Sequence, residues 1–309
     1  MPSKTKIEWA DYISNPIKAR TLAGPYALNG GHKVAKQGHA CVKISEGCTH
    51  CWASTFNVRL GTGLEYTSPN MKKVDMYLDD DELTRLITFK PRGPFKNGRD
   101  RALVFPFDMT DVFGDWVRPY WLERCFSIFG VRKDVDFLIL TKRPDLMREY
   151  LASSLNSVKP MENVYLGTSV ENKVRGEQRV IPMLHIHSMG WKTVVSYEPA
   201  LGPVDWFEWD FIDGLICGGE SGHGARPMNP VWARAARDFC QANKIPFFFK
   251  QWGEWAPLPA IKYDARTTFK TKPVDLDGIY MFKVGKGVAG NLLDGREWKE
   301  MPGTVRDER

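Results

Sequence analysis

The chain has 309 residues, of which 43% are hydrophobic and 26% charged, with six cysteines and a net charge of +6. Those values are ordinary for a globular chain and allow one large domain or two small ones around a proper core. Six cysteines are too sparse for a disulfide scaffold, no apolar run approaches the ~20 residues of a membrane helix, and the opening MPSKTKIEWADY has no apolar stretch of a signal peptide. A cytoplasmic protein with no membrane partner is expected. The mild basic excess is compatible with a nucleic-acid or phosphate-bearing partner without being diagnostic of one. The 11 Trp, 17 Phe and 10 Tyr suffice for a core, and some of the rings are candidates for a pocket or stacking surface.

Taken in chain order, residues 24–38 read as a flexible loop. Six short apolar runs rich in β-branched and aromatic residues then follow as buried strands: 103–107 (LVFPF), 136–140 (DFLIL), 164–167 (VYLG), 193–197 (TVVSY), 214–217 (GLIC) and 246–249 (PFFF). Helical patterns lie between them at 119–131, 144–155, 172–189 (interrupted by Pro182) and 230–243, three of them opened by proline. Strand, loop, helix and strand in repetition mean parallel βα units. With one more strand near the N-terminus, the pattern predicts an α/β fold, a full or partial (β/α) TIM-like barrel spanning residues 1–256, with a doubly wound sheet as the other candidate. Residues 257–309 lose this rhythm and read as a small C-terminal appendage with a β-hairpin at Asp294–Gly295. Cys125, Cys217 and Cys240 are isolated in apolar surroundings and read as buried free thiols.

The chemistry-bearing segment is HACVKISEGCTHCWA, residues 39–53, where Cys41, Cys48 and Cys51 are spaced C-x6-C-x2-C. Gly47 gives the backbone freedom for a wrap around a metal centre. Two occupants fit the spacing. One is a structural zinc ion with His39 or His50 as fourth ligand, in a non-catalytic nucleic-acid-binding protein. The other is a [4Fe–4S] cluster, in which three thiolates leave one iron open to chelate S-adenosylmethionine. A single cysteine nucleophile does not call for three clustered thiols. The surroundings favour the cluster, because both barrel and doubly wound sheet place their active site at the carboxyl ends of the strands, and polar clusters fall there.

Those strand-end clusters supply the candidate residues. DMTD offers Asp108 and Asp111, TKRP offers Lys142 and Arg143, and TSVEN offers Ser169 and Glu171. SYEP offers Glu198, GGESGHGARP offers Gly218, Gly219 and Glu220, and KQWGEW offers Lys250, Gln251 and Trp252. The Gly-rich run lets backbone amides approach a carboxylate, ribose or phosphate, although it is neither a dinucleotide fingerprint nor a Walker loop. Acidic residues suit an ammonium or ribose hydroxyl, cations a carboxylate or phosphate, and indoles a stacked base.

The sequence resembles a phage- and bacteria-borne family of radical-SAM-like proteins. The resemblance runs nearly end to end, through IEWADYISNP, GCTHCWA, LTKRPDLM, VYLGTSVEN, SYEPALGPVD, GGESGHGARPMNPVWARAARDFC, PFFFKQWGEW and VGKGVAGNLLDGREW. It implies a barrel of the radical-SAM type, a [4Fe–4S] cluster on Cys41, Cys48 and Cys51, and S-adenosylmethionine on the open iron. It departs from the usual C-x3-C-x2-C spacing in its first gap. His50 stands where that family usually has an aromatic residue packing by the adenine. His50, Asp108, Asp111, Ser169, Glu171, Glu198, Gly218, Gly219 and Glu220 are then expected to contact S-adenosylmethionine, and Lys142, Arg143, Lys250, Gln251 and Trp252 the substrate. By the same resemblance the reaction is an isomerisation of an amino-acid-modified thymine in bacteriophage DNA hypermodification; the alternative is the same radical chemistry on RNA, a peptide or a free nucleoside. The partners would be DNA or a modified nucleotide and a flavodoxin- or ferredoxin-type reductant.

Overall fold

The computed structural model describes residues 2–22, 35–153, 158–261, 269 and 271–302. The chain opens with β1 (Ser3–Lys4), which pairs antiparallel with β2 (Tyr12–Ser14). A small antiparallel sheet follows, built from β3 (Ile17–Thr21), β4 (Gln37–Gly38) and β5 (Val74–Leu78) in the order β4-β3-β5. Between β4 and β5 lie the cysteine loop, α1 (Trp52–Leu60) and α2 (Ser68–Met71). Then comes α3 (Asp80–Thr88), whose first N–H groups are capped by Asp79.

The regular part alternates strand and helix: β6 (Ala102–Pro106), α4 (Pro119–Val131), β7 (Val135–Thr141), α5 (Pro144–Ala152), β8 (Val164–Ser169), α6 (Lys173–Ser188) and β9 (Lys192–Tyr197). After a short 3-10 turn it continues with β10 (Gly214–Gly218), α7 (Pro230–Ala242) and β11 (Phe247–Gln251). Prolines open α4, α5 and α7, where a missing N–H leaves no helical bond unmade. The main sheet has the order β1-β2-β6-β7-β8-β9-β10-β11, and from β2 to β11 every pair is parallel. Each new strand is therefore added on the same side of the last. Right-handed crossovers that never reverse direction put their helices on one face only, and the sheet curls into a half-barrel. A doubly wound sheet would need a reversal in strand order, and this order has none.

Alternation along the strands separates two cores. Leu103, Leu138, Tyr165, Val194, Ile216 and Phe248 point into the half-barrel, where Trp9 and Met301 join them. Their neighbours, such as Val104, Phe137, Leu166, Val195, Cys217 and Phe249, face the helices. Cys125, Cys217 and Cys240 are completely buried on that helical side. At the amino ends of the strands, buried Arg99 donates to Asp136 and to the Pro302 carbonyl, fastening the C-terminal segment below the barrel.

All six predicted strands are present, displaced at their ends by one or two residues. The helix expected at 172–189 runs unbroken through Pro182. The helix expected at 144–155 ends at Ala152, and its last two residues lie outside the described ones, as do residues 24–34 of the expected loop. The C-terminal segment carries β12 (Trp255–Pro257), β13 (Val274–Leu276) and β14 (Ile279–Lys283) in one antiparallel sheet, then α8 (Lys286–Ala289). Asp294 and Gly295 both have positive φ, 54° and 77°, between the bridged residues Leu293 and Arg296. Met281, Val284, Ala289 and Leu293 of this segment enter the helix-side core. Among the described residues no helix is long and apolar enough to cross a membrane.

Trp9 is 2% exposed, and its ring lies 4.8 Å from that of Phe105 within the half-barrel. Replacing it by alanine opens a large cavity in a wall that several strands share. Trp9→Ala is expected to lower stability by about 3–5 kcal/mol in urea unfolding, and a loss below 1 kcal/mol would refute its place as the plug of the barrel.

Candidate active site: a thiol-lined cavity at the carboxyl strand ends

A cavity of about 320 Å³ opens above the half-barrel interior. One wall is the cysteine loop, contributing Cys41, Val42, Ile44, Gly47, Cys48, His50 and Cys51. The opposite walls are strand ends, contributing Asp108, Asp111, Lys142, Arg143, Ser169, Glu198, Gly219, Glu220, Lys250 and Gln251. Fourteen of the seventeen residues singled out in the sequence line this one space: the three cysteines, His50 and these ten. Glu171, Gly218 and Trp252 do not line it. Trp252 is buried, with its indole N–H donating to the Leu292 carbonyl at 2.8 Å and its ring against Phe249. Gly218 sits where an added Cβ would fall 2.9 Å from Glu198 Oε1, so its lack of a side chain makes room for that carboxylate. Glu171 lies beneath the cysteine loop.

Most of the loop belongs to no sheet or long helix. It makes a 3-10 turn at Glu46–Cys48, and Cys51 stands immediately before α1. The Ser45, Glu46, Cys48 and Cys51 carbonyls accept backbone N–H groups of the loop and of α1, and side chains serve others. Thr110 Oγ1 donates to Ala40 O at 2.5 Å, Arg143 Nη2 to Val42 O at 3.0 Å, and Arg226 Nη2 to Glu46 O at 3.0 Å. Lys43 Nζ reaches Thr49 O at 3.3 Å. Both arginines are fixed by carboxylates. Asp111 accepts from Arg143 Nη1 and from Thr141 Oγ1, and Glu220 accepts from the Arg226 backbone, Nε and Nη2. Glu46 is held outside the cavity by Arg175 and Asn172; its backbone amide and the Asn172 donor lead in pulling its carboxyl down to about 2.

The acidic candidates thus divide. Asp111, Glu171 and Glu220 are saturated by protein donors. Burial would raise the carboxyl of Glu220, but hydrogen bonds from Arg226 outweigh it and hold it below the usual range. Glu198 pairs with Lys250 at 2.8 Å, and that pairing keeps the buried ammonium charged against its desolvation. Asp108 is different. Burial drives it up to about 6, although Asn15 donates to Oδ1 at 2.5 Å, and among the described residues no cation is paired with it.

All three cysteines are free and half-buried. Burial, assisted by nearby Asp111, pushes Cys41 up to about 12, and burial also raises Cys51. Such thiols stay protonated at neutral pH unless a metal centre replaces the proton, which suits a thiolate-ligated group. Among the described residues no three His, Cys, Asp or Glu side chains converge as ligands of one ion would. Of the two histidines considered as fourth ligands, His39 turns to the Ile17 carbonyl at 3.3 Å, where burial lowers it to about 4. His50 Nδ1 lies 3.2 Å from Glu220 Oε2, at the cavity.

Sequence reasoning passed over Ser45, Arg226 and Trp52. Arg226 stood in the Gly-rich run and Trp52 beside Cys51, but the roles of both depend on what the loop folds against. Trp52 is 56% exposed at the rim, with Phe56 edge-on at 6.4 Å. Asp108 gives a testable pH effect. Its folded value is raised, so between about 4 and 6 the folded chain holds a proton that the unfolded chain has lost, and stability falls as pH rises through that window. Asp108→Asn should flatten this fall in thermal melts taken from pH 4 to 6.5. An unchanged slope would show that Asp108 titrates normally.

No curated protein matches the sequence. Among solved structures the chain is similar to spore photoproduct lyase. A variant with bound AdoMet and dinucleoside spore photoproduct has 12% identity and a TM-score of 0.45, and another with dinucleoside spore photoproduct has 13% identity and a TM-score of 0.44. In each case the alignment covers 92% of this chain and 71% of the other. The model of a protein family of unknown function, DUF5131, matches residues 32–302, and the chain belongs to that family.

Proposed function

We propose that this chain is a radical S-adenosylmethionine enzyme with a [4Fe–4S] cluster on Cys41, Cys48 and Cys51. The observation that carries the reading is that three free thiols share one wall of a cavity whose other walls are polar carboxyl ends of parallel strands. When bound, a three-thiolate cluster has an iron open to S-adenosylmethionine and supplies the electron that cleaves its sulfonium C–S bond to a carbon radical. The residues of the chain hold and orient. Arg143 and Arg226 fix the loop by its carbonyls, and Asp111 and Glu220 fix the arginines. Tyr66, whose hydroxyl donates to the Met109 carbonyl at 2.7 Å, closes the wall behind the thiols together with Ala53 and Met109 and keeps water from that side. Asp108, Ser169 and His50 face the space beside the thiols and suit the polar groups of S-adenosylmethionine. Lys142, Lys250 and Gln251 suit the substrate.

For the substrate we propose an amino-acid-modified thymine in DNA, which the enzyme isomerises, with electrons from a flavodoxin- or ferredoxin-type protein. The resemblance in sequence supports this, together with the mild basic excess and the rim indole of Trp52, whose exposed face suits a base.

Anaerobic reconstitution with iron and sulfide tests the chemistry. The wild type should become brown and release 5′-deoxyadenosine from S-adenosylmethionine under a reductant. Cys41→Ala, Cys48→Ala and Cys51→Ala should each lose at least 100-fold of that release. A colourless protein with one zinc per chain and no cleavage would overturn the reading. Mass spectrometry of nucleosides from DNA, with and without the gene expressed, then separates a DNA base from RNA, peptide or free nucleoside.

A further inference from the structure

We propose that Glu171 is a positioning residue that withholds the Ser45 hydroxyl proton from the Cys48 sulfur, and so keeps the reduction potential of a cluster bound there low. The inference rests on the preceding reading that Cys48 is a cluster ligand. Glu171 follows β8 and has no exposed surface. Its Oε2 accepts from Arg179 Nη1 at 2.6 Å, and Lys142 Nζ stands 3.3 Å from Oε1. The same Oε1 accepts from the Ser45 hydroxyl at 2.7 Å.

The loop packs directly on this carboxylate. An added Cβ at Gly47 would lie 2.6 Å from both Cγ and Oε1 of Glu171, so the backbone rests directly on it. On the other side of the same hydroxyl, Ser45 Oγ is 3.7 Å from Cys48 Sγ.

A serine hydroxyl has one proton and two lone pairs. Between two cations the carboxylate is ionised, so it can only accept, and at the shorter distance it takes the proton. The sulfur therefore faces the oxygen lone pairs and receives no hydrogen bond from Ser45. A hydrogen bond to a ligating sulfur stabilises the extra negative charge of a reduced cluster and raises its potential. Glu171 blocks that bond.

The test compares four anaerobically reconstituted proteins by redox titration followed with electron paramagnetic resonance: wild type, Glu171→Gln, Ser45→Ala and the double variant. Glu171→Gln keeps the shape but weakens the acceptor, so the Ser45 proton can turn to Cys48. Its midpoint should move upward, and by more than the same change moves it in the Ser45→Ala background. The background matters because loss of the negative charge moves the potential in both proteins, while the proton is available only where Ser45 is present. A purely structural clamp predicts equal shifts in the two backgrounds, and that result would overturn the proposal. If Glu171→Gln does not fold, Ser45→Ala decides alone. A downward shift would mean that Ser45 already donates to the sulfur and would refute the idea, whereas an unchanged or higher midpoint supports it. Failure of the wild type to assemble any cluster overturns the parent reading and this one with it, and it is recognised by the absence of bound iron.

Discussion

The cysteine loop has backbone carbonyls and few elements of its own to satisfy them, and the arrangement of the site follows from that. A carbonyl left without a donor on burial costs about 1–3 kcal/mol, and each made bond returns about 1 kcal/mol net. In this chain Ser45, Glu46, Cys48 and Cys51 accept local backbone N–H groups, while Ala40, Val42 and Glu46 take donors from the barrel: Thr110 after β6, Arg143 after β7 and Arg226 after β10. Because the strands are parallel and in sequential order, these residues stand on one rim at intervals set by strand spacing. The loop combines its own 3-10 turn with three braces from the barrel, and these hold the thiol-bearing wall against the strand ends.

The bracing also accounts for the division among the acids. An arginine that must hold a carbonyl in a fixed direction needs its other donors fixed, and Asp111 and Glu220 do this. A carboxylate saturated in that way has little left for a ligand. Asp108, held by the Asn15 amide and with a raised proton affinity, is chemically distinct from them although it lies on the same rim. Two environments push like groups apart, and that separates supporting acids from available ones. Lys142 belongs to both sets, since it lines the cavity while its ammonium faces the carboxylate under the loop.

The barrel was legible because its strands are buried on both faces and so read as short apolar runs such as DFLIL and PFFF, while proline marked the helix starts. The β3–β5 sheet was not legible. All five residues of β5 are only partly buried, so VDMYL shows no face, and its partner β3 lies more than fifty residues earlier. Spacing identified the cysteines, and the position of polar clusters after strands identified most of the lining. Trp252 shows the limit of that rule. It stands one residue past β11, yet its ring turns into the core because the C-terminal segment offers it a carbonyl at Leu292. Ser45 and Arg226 were invisible for the opposite reason, since each matters through a contact with a residue more than a hundred positions away in the chain.

The last strands also explain the Gly-Gly pair that precedes Glu220. The Gly219 N–H donates to the Gln251 carbonyl at 2.9 Å, and the Glu254 N–H donates to the Glu220 carbonyl at 3.0 Å. These bonds draw the two loops after β10 and β11 together until an added Cβ at Gly219 would fall 2.0 Å from the Trp252 carbonyl oxygen. No side chain fits that gap. The next side chain, Glu220, meets Arg226 and His50, and through Arg226 reaches the cysteine loop. A backbone crossing at the edge of the half-barrel is thereby coupled to the wall that carries the thiols, by one buried carboxylate.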